Sequence, residues 1–599
     1  MLGSKKRIAV IGSGATTIYL LKHILDHISD LSSEICDISI FEKDSCLGMG
    51  MPYNPKTTDI YNMSNISSEE IPELFISFSD WLDDQDDDKL EKFNIRKSEI
   101  SKTDVYSRIA LGSYFHSRFK ECVTRLKRSG INILEFSSTE IIDIKPLENG
   151  YALLSNKNKE FITDKVIIAT GHEWKEKDYP KTNFYGSPWP ISKILPASNE
   201  IYNFPIGILG ASLSAFDVVS SLSNRHGNFI HSENETRYLP NAKTENFKLI
   251  LHDANGWLPH LQYEQVEPMR KIYRHTTREG IIAILDKNNL LRIDTFFEII
   301  CKPALQKAFL KDNLYELAIK LKNKKFGFKE FVDRMSERHE YQNAFEGMRK
   351  EMQEAQEAMQ NRKPMYWKEV IDDLMYCLNY HIELLPAEDN IFFQKEVKPF
   401  LMNVIAALPL KSGKMLLALY DAGKIELKSG LVEIEEPNPS DTLTKINVSK
   451  DGEQEEFEYK MFICCGGQKN LELKDYPFKS LVNEQYVRAA AAIKLNDKDD
   501  EIKANEVLRN DSNLYIELGG IDIDSSYRIV NENGISNEDI FDISFTHSSG
   551  LRPYSYGLQA CSATTEIMVE SWVNSIKEVT SNTGTLKNVS KVYAGNVNL

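Results

Sequence analysis

Gly12, Ser13 and Gly14 interrupt an apolar run, a helix-forming run follows, and Glu42 closes the next apolar stretch, DISIFE, just ahead of Lys43. Within RIAVIGSGATTIYLLKHILDHI, Arg7 to Ile28, this reads as strand, glycine turn and helix. Gly12 permits the tight turn and Gly14 lets a pyrophosphate approach the backbone. The start of the helix, with Ser13, Ala15 and Thr16, offers N–H groups and partial positive charge, and Glu42 can hold a ribose diol. The ligand expected here contains adenosine diphosphate. Thr17 replaces the third glycine of the fingerprint, which loosens the expected approach of helix to strand.

A second such turn follows. Ile206 to Ser212 aligns with Ile8 to Gly14: Gly210 takes the tight-turn place, Ser212 the close-approach place and Ala215 the third place. The strand KLILHDA then ends in His252-Asp253, where an enzyme using NADP would carry an arginine for the 2′-phosphate, so NAD is favoured over NADP. A degenerate cradle that packs without binding is the alternative. Between the two turns, DKVIIATGH ends a strand at Thr170-Gly171, where backbone can pass close to a cofactor.

Other chemistries find no support. His23 and His27 have i, i+4 spacing but no third ligand, and the acidic run from Asp83 to Asp88 lacks the glycine and closing glutamate of a calcium loop, so no metal is expected. Eight cysteines are scattered without a C-x-x-C; Cys464 and Cys465 are simply adjacent. This suits a cytoplasmic protein and disfavours a dithiol reductase. A net charge of −16 disfavours nucleic acid. The apolar run after Lys5, Lys6 and Arg7 is broken by glycines and reads as a strand rather than a signal peptide. No uncharged apolar stretch reaches the ~18 residues of a membrane span.

The elements that must position these residues define an α/β fold of Rossmann type with two dinucleotide-binding units and an inserted helical region. Residues 1–195 are expected to form the first unit, completed by 500–599. Residues 196–262 form the second, continued by 401–499, and residues 263–400 form the insert, rich in Lys, Glu, Met and Gln. The insert reads equally well as a lid or substrate wall and as a stabilising cap or dimer contact. Arg270, Lys271 and Arg274 could meet a carboxylate or form a solvated patch. Near the C-terminus Tyr556, Gly557 and Leu558 open an amphipathic helix whose start can stabilise negative charge, with His547 upstream.

Together these segments resemble the FAD-NAD(P)-binding flavoproteins, a family similar in layout to the N-hydroxylating and Baeyer-Villiger flavin monooxygenases. The resemblance also rests on Gly48-Met-Gly50-Met-Pro-Tyr53, Tyr61-Asn62-Met63, Tyr106-Ser-Arg108, Trp367 to Asp372, Ala407-Leu-Pro409, Ala422 to Leu427 and Gly550 to Gly557. It implies FAD in the first cradle and NAD(P)H as electron donor, with Gly50, Tyr53, Asn62, Met63, Arg108, Thr170, Gly171, Tyr556, Gly557 and Leu558 among the cofactor contacts, and Asn62 and His547 as candidate flavin neighbours. The chain departs from the family where a basic cluster would precede Pro409, at His252-Asp253-Ala254, and at Pro190, which stands where the Baeyer-Villiger signature has histidine. The implied activity is NAD(P)H-dependent hydroxylation of an amine nitrogen in a small amino-acid-like molecule, with oxygen activated at the flavin C4a carbon. Alternatives are a flavin reductase or oxidase that inserts no oxygen, and a flavin-containing regulatory protein.

Overall fold

The computed structural model describes residues 5–577 except 174–175, 198–199, 233–234, 337–342, 439, 468–469, 496–505 and 510–512. Residues 578–599, assigned above to completing the first unit, therefore lie outside the described residues. Two parallel sheets organise the chain. In the first, the strands lie in the order Arg528–Val530, Ser536–Asp542, Lys165–Ile168, Lys6–Ile11, Ile35–Phe41 and Asn132–Phe136. All neighbours are parallel except the outermost pair, Arg528–Val530 with Ser536–Asp542. Ile8 to Ile11 are all buried, as expected of a central parallel strand covered on both faces. Helix Ala15–Asp26 packs between helices Arg108–Arg128 and Leu558–Lys577, so the C-terminal helix covers the first turn's own helix.

The second sheet runs Ile425–Ser429, Lys248–Asp253, Pro205–Leu209, Phe462–Cys464 and Phe184–Tyr185, all parallel. Its edge strand Phe184–Tyr185 leaves the first unit before residue 195. The chain returns to the first unit's core by Tyr476, which packs there with Phe478 and Leu481.

The helical region divides between the two cores. Phe345, Met348 and Met352, on one face of helix Ala344–Gln360, pack with Leu258, Leu261 and Leu416 of the second unit. Phe297, Phe328, Phe331, Trp367 and Phe400 join the core of the first. A stretch read as one insert thus serves both units, because its apolar faces point to different neighbours. A π-helical turn at Leu401–Ile405 ends this region. No helix among the described residues is long and apolar enough to cross a membrane.

Gly112 shows how closely helix Arg108–Arg128 is held to the preceding loop: a Cβ there would stand 2.2 Å from the Tyr53 carbonyl oxygen. The obstacle is backbone, which cannot rotate away. Replacing Gly112 with alanine is expected to cost about 3 kcal/mol, the upper range for overpacking, seen as a lower denaturant midpoint at unchanged slope.

Candidate functional site: two nucleotide cradles and the cavity between units

Three strand ends build the first cradle. Gly12 follows its strand at φ +101°, and a Cβ there would stand 2.3 Å from the Ala169 carbonyl oxygen, so glycine is required on both counts. Ser13 hands its N–H and hydroxyl to Glu42 Oε2 at 3.1 and 2.6 Å, while Glu42 Oε1 accepts from Asp44 N at 2.9 Å. The Ser13 hydroxyl also accepts from Gly48 N at 3.1 Å. Thr17, in the third glycine's place, is fully buried and donates to the Gly12 carbonyl at 2.8 Å. Gly14 caps the helix without a side chain, leaving first-turn N–H groups such as those of Ala15 and Thr16 unused by the helix. Gly50 at φ +78° lies against Gly14; a Cβ on Gly50 would stand 3.2 Å from the Gly14 Cα. Lys43 is exposed.

The end of strand Lys165–Ile168 and the start of helix Leu558–Lys577 complete this surroundings. A Cβ on Gly171 or on Gly557 would meet nothing within 4 Å, so the backbone is open at both. Leu558 is buried and Tyr556 half-buried. Thr170 connects inward: its hydroxyl is 3.1 Å from Ser544 Oγ and 3.4 Å from His547 Nε2. His547 Nδ1 lies 2.7 Å from Asp542 Oδ2, and the Tyr476 hydroxyl donates to the same oxygen at 2.9 Å. His547 is thus a buried link between Asp542 and the strand end at Thr170.

The second cradle repeats the first. Gly210 has φ +107°, and a Cβ there would stand 3.0 Å from the Cys465 carbonyl oxygen, as Gly12 faces Ala169. Cys465-Gly466-Gly467 therefore holds the place of Ala169-Thr170-Gly171, an equivalence hidden in the sequence by its different residues. Ser212 is exposed at the start of helix Leu213–His226 and makes no capping bond. His252 is fully buried, with Nε2 2.8 Å from the Tyr459 hydroxyl, and burial lowers its pKa to about 4. It faces the protein interior. Burial likewise pushes Cys464 up to about 12 and raises the Cys465 thiol, so neither offers a ready thiolate.

Asn62 and Arg108, expected among the cofactor contacts, bond the second unit through their polar atoms. Asn62 Nδ2 donates to the Asp217 carbonyl at 3.0 Å and to Ser221 Oγ at 2.9 Å, and its Oδ1 accepts from Asp59 N at 2.9 Å. Arg108 Nη2 pairs with Asp217 Oδ2 at 2.7 Å, and Arg108 Nε donates to the Met63 carbonyl at 3.1 Å. Arg225 grips both oxygens of Asp59 at 2.6 and 3.1 Å, and Ser220 donates to the Tyr61 carbonyl at 2.8 Å. Residues 59–63 are a strap between helix Arg108–Arg128 and helix Leu213–His226, and their polar atoms are taken up by holding the units together.

A cavity of about 120 Å³ lies where the first unit, the helical region and the start of helix Leu558–Lys577 meet. Tyr53, Glu70, Arg270, Asp372 and Tyr556 line it. Arg270 Nε donates to Asp372 Oδ2 at 2.8 Å, and Tyr554 donates to Asp372 Oδ1 at 2.6 Å. Arg270 Nη1 has no partner among the described residues. Glu70 Oε2 accepts from Ser67 N and Oγ at 2.8 and 2.7 Å; Oε1 has no hydrogen-bond partner among the described residues, and burial raises the carboxyl pKa. Lys271 and Arg274 go elsewhere: Lys271 N donates to Asp373 Oδ1 at 3.1 Å, and Arg274 pairs with Asp373 at 2.5 Å. Periodicity and composition did not bring out Glu70 or Asp372 as site residues, because both become partners of Arg270's surroundings only through the tertiary fold.

Two repeated cradles, each with a carboxylate at its second strand, define an α/β fold with two dinucleotide-type units. Residues 9–173 match the family described as FAD-NAD(P)-binding, and residues 277–405 match the YdhS-like middle domain. The Escherichia coli (strain K12) protein YdhS is 27% identical over 480 residues, covering 80% of this chain and 86% of its own. Among solved structures, the ornithine N-hydroxylase of Kutzneria sp. 744 aligns over 96% of this chain and 100% of its own, with TM-score 0.47 and 10% identity. An ornithine hydroxylase from Pseudomonas aeruginosa aligns over 95% and 99%, with TM-score 0.47 and 9% identity. FAD and NAD(P)H are the cofactors of a domain of this family, and the turns, carboxylates and open backbone described above fit both.

Burial raises the Asp217 pKa to about 6 against the opposing pull of Arg108. An acid whose folded-state pKa lies above its unfolded value imposes no cost below the unfolded pKa near 4; stability then falls as pH rises to the folded pKa, by about 3 kcal/mol for about two units. Thermal melts of Asp217→Asn against pH should lack this decline between about pH 4 and pH 6.

Proposed function

We propose that this protein is an NAD(P)H-dependent flavin monooxygenase that hydroxylates an amine nitrogen of a small amino-acid-like substrate. The observation that supports it most is the cavity lined by a guanidinium nitrogen and a carboxyl oxygen, Arg270 Nη1 and Glu70 Oε1, that have no hydrogen-bond partner among the described residues. One fits a carboxylate and the other an ammonium. The overall change is amine, dioxygen, NAD(P)H and a proton giving hydroxylamine, NAD(P)⁺ and water. Bound FAD would supply electron transfer from NAD(P)H and activation of dioxygen.

The chain's residues then have positioning work. Asp372 holds the Arg270 guanidinium through Nε, Nη2 donates to the Tyr554 hydroxyl at 3.5 Å, Nη1 is left for substrate, and Tyr554 fixes Asp372 in turn. Gln559 Oε1 accepts from Arg270 N at 2.9 Å, while its Nε2 donates to the carbonyls of Glu70 and Pro268, both at 2.9 Å. The cavity wall is thereby tied to the first turn of helix Leu558–Lys577. No nucleophile, metal cluster or paired general acid and base is needed for such chemistry, because the protein's task is to position the amine and exclude water. A dithiol relay is disfavoured by the raised thiol pKa values at Cys464 and Cys465.

The reading is tested with FAD-loaded protein, each nicotinamide, and a panel of amino acids and diamines under isotopically labelled dioxygen. Label in a hydroxylamine product supports it; nicotinamide oxidation that forms only peroxide, or an unlabelled product, refutes oxygen insertion. In Glu70→Gln the ammonium loses a charge-assisted partner worth about 1.5–3 kcal/mol, so KM should rise by about tenfold or more with kcat little changed.

A further inference from the structure

We propose that the second cradle selects NADH over NADPH and that Asp253 sets this preference, its carboxylate holding the adenosine ribose diol. The inference rests on the reading that a nicotinamide nucleotide binds the second cradle, and goes beyond it by naming which one and why.

Strand register places Asp253 where Glu42 stands. Ile11 is paired with Phe41 in the first sheet and Leu209 with His252 in the second, so the next residues are Gly12 with Glu42 and Gly210 with Asp253. Each glycine turns at positive φ beneath a third strand end, Ala169 in one unit and Cys465 in the other. Each carboxylate also bonds the backbone two residues on: Glu42 Oε1 accepts from Asp44 N at 2.9 Å and Asp253 Oδ2 from Asn255 N at 3.0 Å. Asp253 Oδ2 further accepts from Trp257 N at 3.2 Å, which fixes the side chain, and Oδ1 has no partner among the described residues. A fixed carboxylate with a free oxygen at this strand end accepts hydrogen bonds from ribose hydroxyls and repels a 2′-phosphate.

The cations closest to Asp253 come from neighbouring strands and not from its own segment. Residues 248–262 contain no arginine or lysine beyond Lys248 at the strand's far end. On the neighbouring strand Ser429 is in register with Asp253, and Lys450, at the end of strand Thr444–Lys450, donates to Ser429 Oγ at 2.6 Å. Lys428, one residue earlier, lies over the Phe457 ring at 4.5 Å and near Glu426.

Calorimetric titration of the FAD-loaded full chain with NAD⁺ and with NADP⁺ tests the assignment without turnover. NAD⁺ should bind tighter by about tenfold or more. Asp253→Ser should weaken NAD⁺ and strengthen NADP⁺, and Asp253→Asn, which keeps an acceptor for Asn255 and Trp257, should narrow the ratio even if the serine variant folds poorly. NADP⁺ binding as well as or better than NAD⁺ to the wild-type chain overturns the proposal while leaving a nicotinamide donor in place. Binding of neither nucleotide overturns both.

Discussion

Asp217 is a buried carboxylate between the two units, and Arg108 is the cation that meets it. Around that pair Asn62, Ser221, Asp59 and Arg225 form a continuous polar seam, so the strap at residues 59–63 is bonded on both sides. A buried charge without its partner is strongly destabilising, which makes this junction intolerant of separation. The two cradles and the cavity depend on it, because the distance from one cradle to the other is set by how the units are joined.

The same economy of means runs through the two cradles. Each uses one glycine at positive φ, one carboxylate bonded to backbone two residues later, and a third strand end pressed beneath the turn. Neither depends on the glycine fingerprint in full. Thr17 shows how a larger residue is accommodated at the third position: its hydroxyl bonds the Gly12 carbonyl, which replaces lost closeness with a hydrogen bond. The cavity, by contrast, belongs to no single unit. Its charged groups come from the first unit and the helical region, Tyr556 comes from the residues before the last helix, and Asp372 is held by both Arg270 and Tyr554.

The nucleotide turns were legible because their requirements are local. A strand, a residue able to adopt positive φ, a free helix start and an acid at a set place follow one another along the chain, and residues 7–42 and 205–253 display them directly. The equivalence of Cys465-Gly466-Gly467 with Ala169-Thr170-Gly171 was not legible, since what matters there is a carbonyl beneath a glycine rather than any side chain. The bonds made by Asn62 and Arg108 were not legible for a related reason: their sequence neighbourhood points to the first cradle, while their polar atoms face a helix more than a hundred residues away in sequence.

By itself, then, the sequence determined the α/β class, the two dinucleotide turns and the absence of a dithiol motif, because periodicity, glycine placement and residue spacing are properties of short segments. Only the tertiary structure decided that the helical region is shared between two cores, that residues 59–63 strap the units together, and that Glu70, Arg270 and Asp372 line one cavity. Those outcomes depend on which apolar faces and buried charges find one another across long separations, and such pairing is settled by packing and desolvation of the whole chain.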